Sequence, residues 1–499
     1  MNRLLLLLLL ALVGGCAPVR SGSVPVAADL ALTHVNVVDV ESGRVLPDQT
    51  VLIAGNRIQA VGPSSKVGVP AGARVVDATG KHLIPGLWDM HVHLFNQISR
   101  RPPNPWYFPL FVANGVTGVR EMWVKEPDVP MLQDWREQIA AGTLLGPRIA
   151  AAGALVDGGG SIWPTTDQVT TPEEARQFVR ESHRLGLDFI KTYYNVSPEA
   201  YQAIAEEARS LGIPVAGHIP MLVRAADAGA AGHRSNEHLT QVREACSTQE
   251  QQILLERQRL DSGPHTVAQA DSLWSRHEWL RTQTYDPGTC KAVARQLAAA
   301  PMWQVPTLLN ERGYFVGPPD SAEHDPRLAY IPGEERRVWS EGLRQFGAEH
   351  AAKAQGAAEA RTAQWRATLA LVRTLAREGV PFLAGTDLGG GYIFPGSGLH
   401  DELALMVEAG LSPFEALRAA TLEPARYLGA TDSLGTIALG KLADLVLLSA
   451  NPLEDIRNTQ QIEAVVLNGR YLDRRALDGL LTEAEGAANR WLPRGLTKG

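Results

Sequence analysis

A (β/α)8 TIM barrel, an α/β fold, carrying a small composite β-sandwich assembled from both chain ends, is the fold class this sequence predicts. Three observations predict it. Short apolar strands alternate with amphipathic helices through the middle of the chain, eight such strands can be counted, and turn-rich strand segments flank them on both sides. The length of 499 residues accommodates a full-sized barrel and one smaller domain.

The chain opens on Met1-Asn2-Arg3, a short basic start, followed by the unbroken apolar run Leu4 to Val13. That run is too short to span a bilayer as a helix and suits the core of an export signal. Val13-Gly14-Gly15-Cys16 then resembles a bacterial lipobox, in which Cys16 receives lipid. A plain signal peptide cut near Ala17 or further on is the alternative. Ala17 is not the aspartate that commonly retains Gram-negative lipoproteins at the inner membrane, so the expected location is the outer membrane, facing the periplasm, or another envelope anchorage. Residues 17–29 read as a flexible tether.

Residues 30–83 read as short strands: Leu30 to Val38, Gln49 to Ile53 and Arg57 to Val61, split by Glu41-Ser42-Gly43 and Gly55-Asn56, and closed by Val75-Val76-Asp77. A matching piece stands at 433–475. Between them, over 84–432, the eight strand candidates are His82–His93, Val116–Trp123, Arg148–Gly153, Asp188–Tyr193, Ile213–His218, Gly232–His238, Trp303–Leu308 and Val380–Asp387. Helical stretches such as Pro172–Leu185, Pro198–Leu211 and Ala358–Gly379 fall between them. The run from about 241 to 300 is charged, Gln-rich and helical in pattern, and reads as an inserted cap. Residues 476–499 are assigned to a C-terminal tail, with a terminal helix before its loose end.

Composition is 45% hydrophobic and 20% charged with a formal net charge of −7, which speaks against a nucleic-acid partner because phosphate recognition needs a basic face. Besides Cys16 there are only Cys246 and Cys290. In an oxidising compartment they are a candidate disulfide pinning the insertion; two buried free thiols are the alternative.

Chemistry-bearing residues fall at strand ends. His91-Val92-His93 ends the first barrel strand, and side chains two apart on a strand share a face, so both imidazoles can reach one metal. Lys191 ends the fourth strand, His218 the fifth, His238 the sixth and Asp387 the eighth. Any one of these is commonly a solvated charge or a core histidine. A barrel, however, gathers the C-terminal ends of its strands at one mouth, so six in register form a constellation. His233 is the fallback for His238, because the strand Gly232-His-Arg-Ser-Asn-Glu-His is unusually polar.

The order His-x-His, Lys, His, His, Asp resembles the amidohydrolase superfamily. So do Ile84-Pro-Gly-Leu-Trp-Asp-Met-His-Val-His, Gly385-Thr-Asp387, Ala419-Ala-Thr-Leu-Glu-Pro-Ala-Arg-Tyr-Leu-Gly and the closing run from Leu434 to Leu448. Arg120 after Gly115-Val-Thr-Gly, Gly217-His-Ile-Pro and Gln304-Val-Pro-Thr bring the likeness nearer to its prolidase-like and imidazolonepropionase-related branch.

The resemblance implies two divalent metal ions. His91, His93 and Asp387 would hold one and His218 and His238 the other, with Lys191 bridging as a CO2-derived carbamate. Zinc is the expected metal, and manganese, cobalt or iron are compatible. It implies attack on the scissile carbonyl by a shared hydroxide, with Asp387 as the catalytic proton acceptor. The expected substrates are Xaa-Pro or other dipeptides and N-acyl amino acids, with Tyr193 or Tyr194 as the anchor for a carboxylate; only one of the two can face the pocket, since neighbours on a strand point opposite ways. A bridging lysine, and Met221 where deaminases of this type usually carry glutamate, speak against deamination. An esterase, lactonase or aryl-amide hydrolase on the same site is the first rival, and a non-catalytic substrate-binding lipoprotein the second. The expected partners are a small-molecule or dipeptide substrate and a membrane reached only through a lipid anchor; a homo-oligomer is left open. The other histidines, among them His34, His82, His183, His265, His277, His324 and His350, read as surface or packing residues; reach to the barrel mouth is the lesser alternative for His400, shortly after the Gly389-Gly-Gly loop.

Overall fold

The computed structural model describes residues 28–95, 105–151, 155–161, 166–261, 276–300, 302–319, 321–352 and 356–490. The export signal, Cys16, most of the tether, His265 and the last nine residues of the chain lie outside them. Among the described residues, no helix is long and apolar enough to cross a membrane.

Both chain ends enter one mixed eight-stranded sheet. Its seam is the antiparallel pairing of Leu445–Leu448 with His82–Pro85, where Val446 faces Ile84. Outward from there run Ile462–Leu467 and Arg470–Asp473 on one side and Leu30–Asp39, Arg44–Ala54 and Arg57–Pro63 on the other. The pairing is continuous across the sheet, because Leu30–Asp39 bonds to Arg44–Ala54, Arg74–Asp77 and His82–Pro85 together. Its apolar face closes over a core of its own, including Leu32, Val51, Ile53, Leu83, Leu445 and Val466, all almost fully buried.

The middle of the chain is α/β. Leu87–Val92, Val116–Glu121 and Arg148–Ala151 form a parallel three-stranded sheet. A parallel six-stranded sheet contains Ile190–Thr192, Val215–Gly217, His233–Glu237 and Trp303–Val305 in that order. Helices follow the strands, and three start on the same device: Thr171-Pro172, Ser197-Pro198 and Ser412-Pro413 each put a capping hydroxyl before a proline in the first turn.

The closed barrel expected from the sequence is not closed by pairing among the described residues. Two corrections account for it. First, Val380–Asp387 forms no ladder. It meets Trp303–Val305 through a single parallel bridge, Gln304 to Phe382, and Leu87–Val92 through backbone hydrogen bonds from Met90 N to Ala384 O and from Asp387 N to His91 O. Gly385 permits this approach, since a Cβ there would stand 2.7 Å from Val305 and 2.8 Å from the Cβ of His91. Second, on the opposite side Thr192 pairs with Val156 of a two-residue strand, and not with Arg148–Ala151.

The insertion is helical over Val242–Ala245, Glu250–Asp261, 276–283 and Pro287–Ala299. Cys246 and Cys290 are bonded, with their Cα atoms 4.2 Å apart. Beside that bond, Glu244 Oε1 accepts from Arg257 Nη2 and Arg281 Nη1, both at 2.8 Å. Burial alone would raise the Glu244 pKa, but the two guanidiniums outweigh it and hold the carboxyl far below the usual carboxylate range. All three side chains are less than a tenth exposed. Glu244→Gln is therefore expected to destabilise the protein by about 1–3 kcal/mol, because it takes from two buried guanidiniums the carboxylate they share, although Arg281 keeps Glu278 at 3.2 Å. Urea denaturation of the oxidised protein measures this, and a loss under about 1 kcal/mol would mean that water reaches the cluster. The assigned C-terminal tail is largely a helix, Arg474–Arg490, anchored by buried Leu477, Ala484 and Ala488.

Candidate metal centre and active-site cavity

Six strand-end residues converge at one end of a cavity of 640 Å³: His91, His93, Lys191, His218, His238 and Asp387 all line it. Each arrives by its own backbone route. His91 is on the strand Leu87–Val92 and His93 just past its end. Lys191 is on Ile190–Thr192 and is 2% exposed. His218 follows Gly217, whose φ of +110° and close approach to Thr192 O (2.6 Å from a built Cβ) suit only glycine. His238 and Asp387 sit in the left-handed region at φ 58° and 60°, as does Thr307 at 44°. Three non-glycine residues of one site in a sparsely populated conformation mark backbone strain held by its surroundings.

The four imidazoles form a chain, with ring centroids 5.4 Å apart for His93 and His91, 4.9 Å for His91 and His238, and 4.8 Å for His238 and His218. Asp387 Oδ1 stands 3.3 Å from His91 Nε2 and 3.2 Å from His93 Nε2, and its Oδ2 3.9 Å from His238 Nε2. Such separations are those of donor atoms sharing a cation at about 2.0–2.2 Å from each. Ligand atoms of His91, His93 and Asp387 all fall within 4.8 Å of one another. Among the described residues His91 Nε2 and His218 Nδ1 are buried without a hydrogen-bond partner, the condition of a nitrogen lone pair aimed at a metal. The donor set fits a divalent cation.

Electrostatics prepare the donors. Burial lowers the His91 pKa to about 3 and pushes His218 well below the ordinary imidazole value, so both are neutral at neutral pH. Burial would raise Asp387, but the rings of His91, His238 and His93 outweigh it and hold the carboxyl well below its usual range. Burial lowers Lys191 to about 8 against the opposing pull of Asp387, Glu237 and Glu121.

Residues that sequence reasoning left without a role support this cluster. His91 Nδ1 lies 2.9 Å from Glu237 Oε2, and Arg120 Nη2 donates to Glu237 Oε1 at 2.9 Å. His238 Nδ1 lies 2.6 Å from the Thr307 hydroxyl, and Asn310 Nδ2 donates to Asp387 Oδ2 at 2.8 Å. Buried Glu121, raised by burial to about 8, stands behind His93 at 3.9 Å. Arg120-Glu121 at the end of the strand Val116–Glu121 was a legible signal, Thr307 had only its place in Gln304-Val-Pro-Thr, and Asn310, at a helix start, carried none.

Three expectations are corrected. Tyr193 and Tyr194 both line the cavity, their rings packing on His218 at 4.3 and 4.6 Å, because the strand stops at Thr192 and its alternation no longer applies. His233 is not a stand-in ligand: it contacts the Tyr201 hydroxyl and Gly217 O in the core. His400 does not reach the mouth. It is buried on a helix between the Thr459 hydroxyl and Asn114 O.

The family model described as "Amidohydrolase family" matches residues 340–472. Adenine deaminase 3 of Rhizobium meliloti (strain 1021) is 27% identical over 228 residues, 42% of this chain and 36% of that protein, so the match spans about a third of that curated relative. Among solved structures, the bottromycin amidohydrolase AH superposes with a TM-score of 0.68 at 24% identity, covering 92% of this chain and 90% of that one. A Xaa-Pro dipeptidase with methionine bound in its active site superposes with a TM-score of 0.61 at 21% identity, covering 89% and 99%. At these identities the structural likeness is one of fold. The matched segment contains Asp387 and the closing motif, and the fold around it runs the length of the solved relatives. The likeness to the amidohydrolase family model is thus confined to residues 340–472, and over the rest of the chain it is one of fold.

Proposed function

We propose that the chain hydrolyses the amide bond of a small charged amide, a dipeptide of the Xaa-Pro kind or an N-acyl amino acid, at a two-metal centre on a (β/α)8-type scaffold. One observation carries the reading. The six-residue donor set opens into a cavity whose wall presents Tyr193 and Tyr194 beside the ion pairs Arg243–Glu311 and Arg281–Glu244, a polar, charge-balanced lining suited to a small amide that carries charge of its own.

His91, His93 and Asp387 would hold one divalent cation and His218 and His238 a second, with Lys191 between them. What such cations supply is Lewis acidity, toward water and toward the scissile carbonyl. The protein does the rest. The Lys191 amine, whose pKa burial lowers to about 8, would add CO2 and release a proton, so that a carbamate would supply the oxygen donors between the two sites. Asp387, ionised and steadied by Asn310, takes the proton from the attacking water and returns it to the leaving nitrogen. Trp123, Leu155 and Phe315 supply apolar wall beside these groups.

The curated adenine deaminases favour a second reading, cleavage of an exocyclic C–N bond. Against it stand Lys191 and Met221, whose backbone N–H is tied to Tyr194 O where a proton-carrying glutamate would be needed. The test is a panel of dipeptides, N-acyl amino acids, aryl esters, lactones and adenine, offered to zinc-loaded protein lacking residues 1–20. Amine release from dipeptides or N-acyl amino acids is expected; turnover of adenine or esters alone would reject the amide reading. On an accepted substrate, Tyr193→Phe or Tyr194→Phe is expected to raise KM about tenfold with metal content unchanged, the worth of one hydrogen bond to a charged group. Unchanged KM in both would remove the phenols from substrate binding.

A further inference from the structure

Behind the metal-facing side of His91 lies a closed polar network that the proposed reaction does not itself use. Glu237, Arg120 and His91 have fully buried side chains. Glu237 Oε1 accepts from Arg120 Nη2 at 2.9 Å and from the Ser235 hydroxyl at 2.7 Å; its Oε2 accepts from His91 Nδ1 at 2.9 Å. Arg120 is itself locked: Nε donates to Met90 O at 2.6 Å and Nη1 to Ser235 Oγ at 2.8 Å. Its guanidinium lies 4.9 Å from the Tyr427 ring centroid and 5.5 Å from that of Phe189.

We propose that Glu237, braced by Arg120 and Ser235, is a positioning residue that fixes the tautomer and orientation of His91 and thereby sets the affinity of the centre for its cation. The inference rests on the ligand set proposed above. Its logic is one of proton inventory. An ionised carboxylate can only accept, so the shared proton sits on His91 Nδ1 and the lone pair is left on Nε2. Nε2 is the atom that faces Asp387 at 3.3 Å and has no hydrogen-bond partner. A carboxylate behind a ligating imidazole also makes it a stronger donor. His91 alone among the four has this arrangement at hydrogen-bond distance among the described residues: His238 leans on a neutral hydroxyl, and the carboxylate behind His93 stands 3.9 Å away. Stability is a poor explanation for the network, since a buried ion pair is commonly no more stabilising than apolar residues of the same volume.

The test titrates metal-free protein with zinc against a chromophoric chelator and records the visible spectrum of the cobalt(II) form. Two variants are compared with the parent: Glu237→Gln, and Glu237→Gln combined with Arg120→Met, which removes both charges and strands neither. Both are expected to bind zinc about 10–100-fold more weakly and to shift the cobalt spectrum, the double variant doing so with its metal-free unfolding transition retained. A folded double variant with parental zinc affinity and an unchanged cobalt spectrum would overturn the proposal while leaving the ligand set standing. Failure of the parent itself to bind zinc or cobalt would overturn the ligand set, and this inference with it.

Discussion

Asp387→Asn is expected to lower kcat on the accepted amide by about 10²–10⁴-fold, the range spanned by loss of a positioned proton acceptor. Asparagine is the informative replacement. It keeps the volume and the contact with Asn310, and it tolerates the left-handed backbone at φ 60° better than most residues. What it removes is the charge. In the parent that carboxyl is ionised because neighbouring imidazoles outweigh the cost of burial, and one of its oxygens faces two of them at 3.2 and 3.3 Å. Steady-state kinetics are read beside metal analysis of the same preparation. A fall in kcat with metal retained assigns Asp387 the proton transfer. A fall that tracks metal loss makes it a ligand alone, and full activity would assign the proton transfer to another group.

Lys191→Ala is expected to be the more damaging change, lowering the metal content as well as turnover. The side chain is 2% exposed and lines the cavity beside the four imidazoles. A buried ammonium facing a histidine cluster would repel a cation, whereas the proposed carbamate would contribute negative charge and two oxygen donors. Reconstitution of metal-free parent with zinc is accordingly expected to depend on added bicarbonate, and that of the alanine variant not to respond to it. A folded Lys191→Ala protein with two ions per chain and full turnover would dispose of the carbamate.

Much of the site was legible because a strand end is a position that sequence can specify. His91-Val-His93, Lys191, His218 and Asp387 each close a short apolar run, and the structure brings all of them, with His238, to one cavity. Periodicity was less reliable where strands shorten to three residues. The alternation rule assigned one of Tyr193 and Tyr194 to the pocket, yet both line it once the strand ends at Thr192. The eighth strand was read from its apolar run, and isolated bridges and backbone hydrogen bonds replace the ladder up to Asp387, which turns out of the extended region. The wall bearing Arg243, Glu278, Arg281 and Glu311 had no signature, since charged residues on helices are ordinarily solvated.

What the sequence by itself determined is the order and kind of the donors and the alternation of strand and helix that carries them, because hydrophobic period and punctuation act over a few residues. Tertiary structure alone decided which nitrogen of His91 is left bare, which carboxylate is held charged, and how Arg243 and Glu311, 68 positions apart in the chain, come to pair on one wall of the cavity. Those outcomes depend on where distant segments pack against one another, and no short window of residues carries that information.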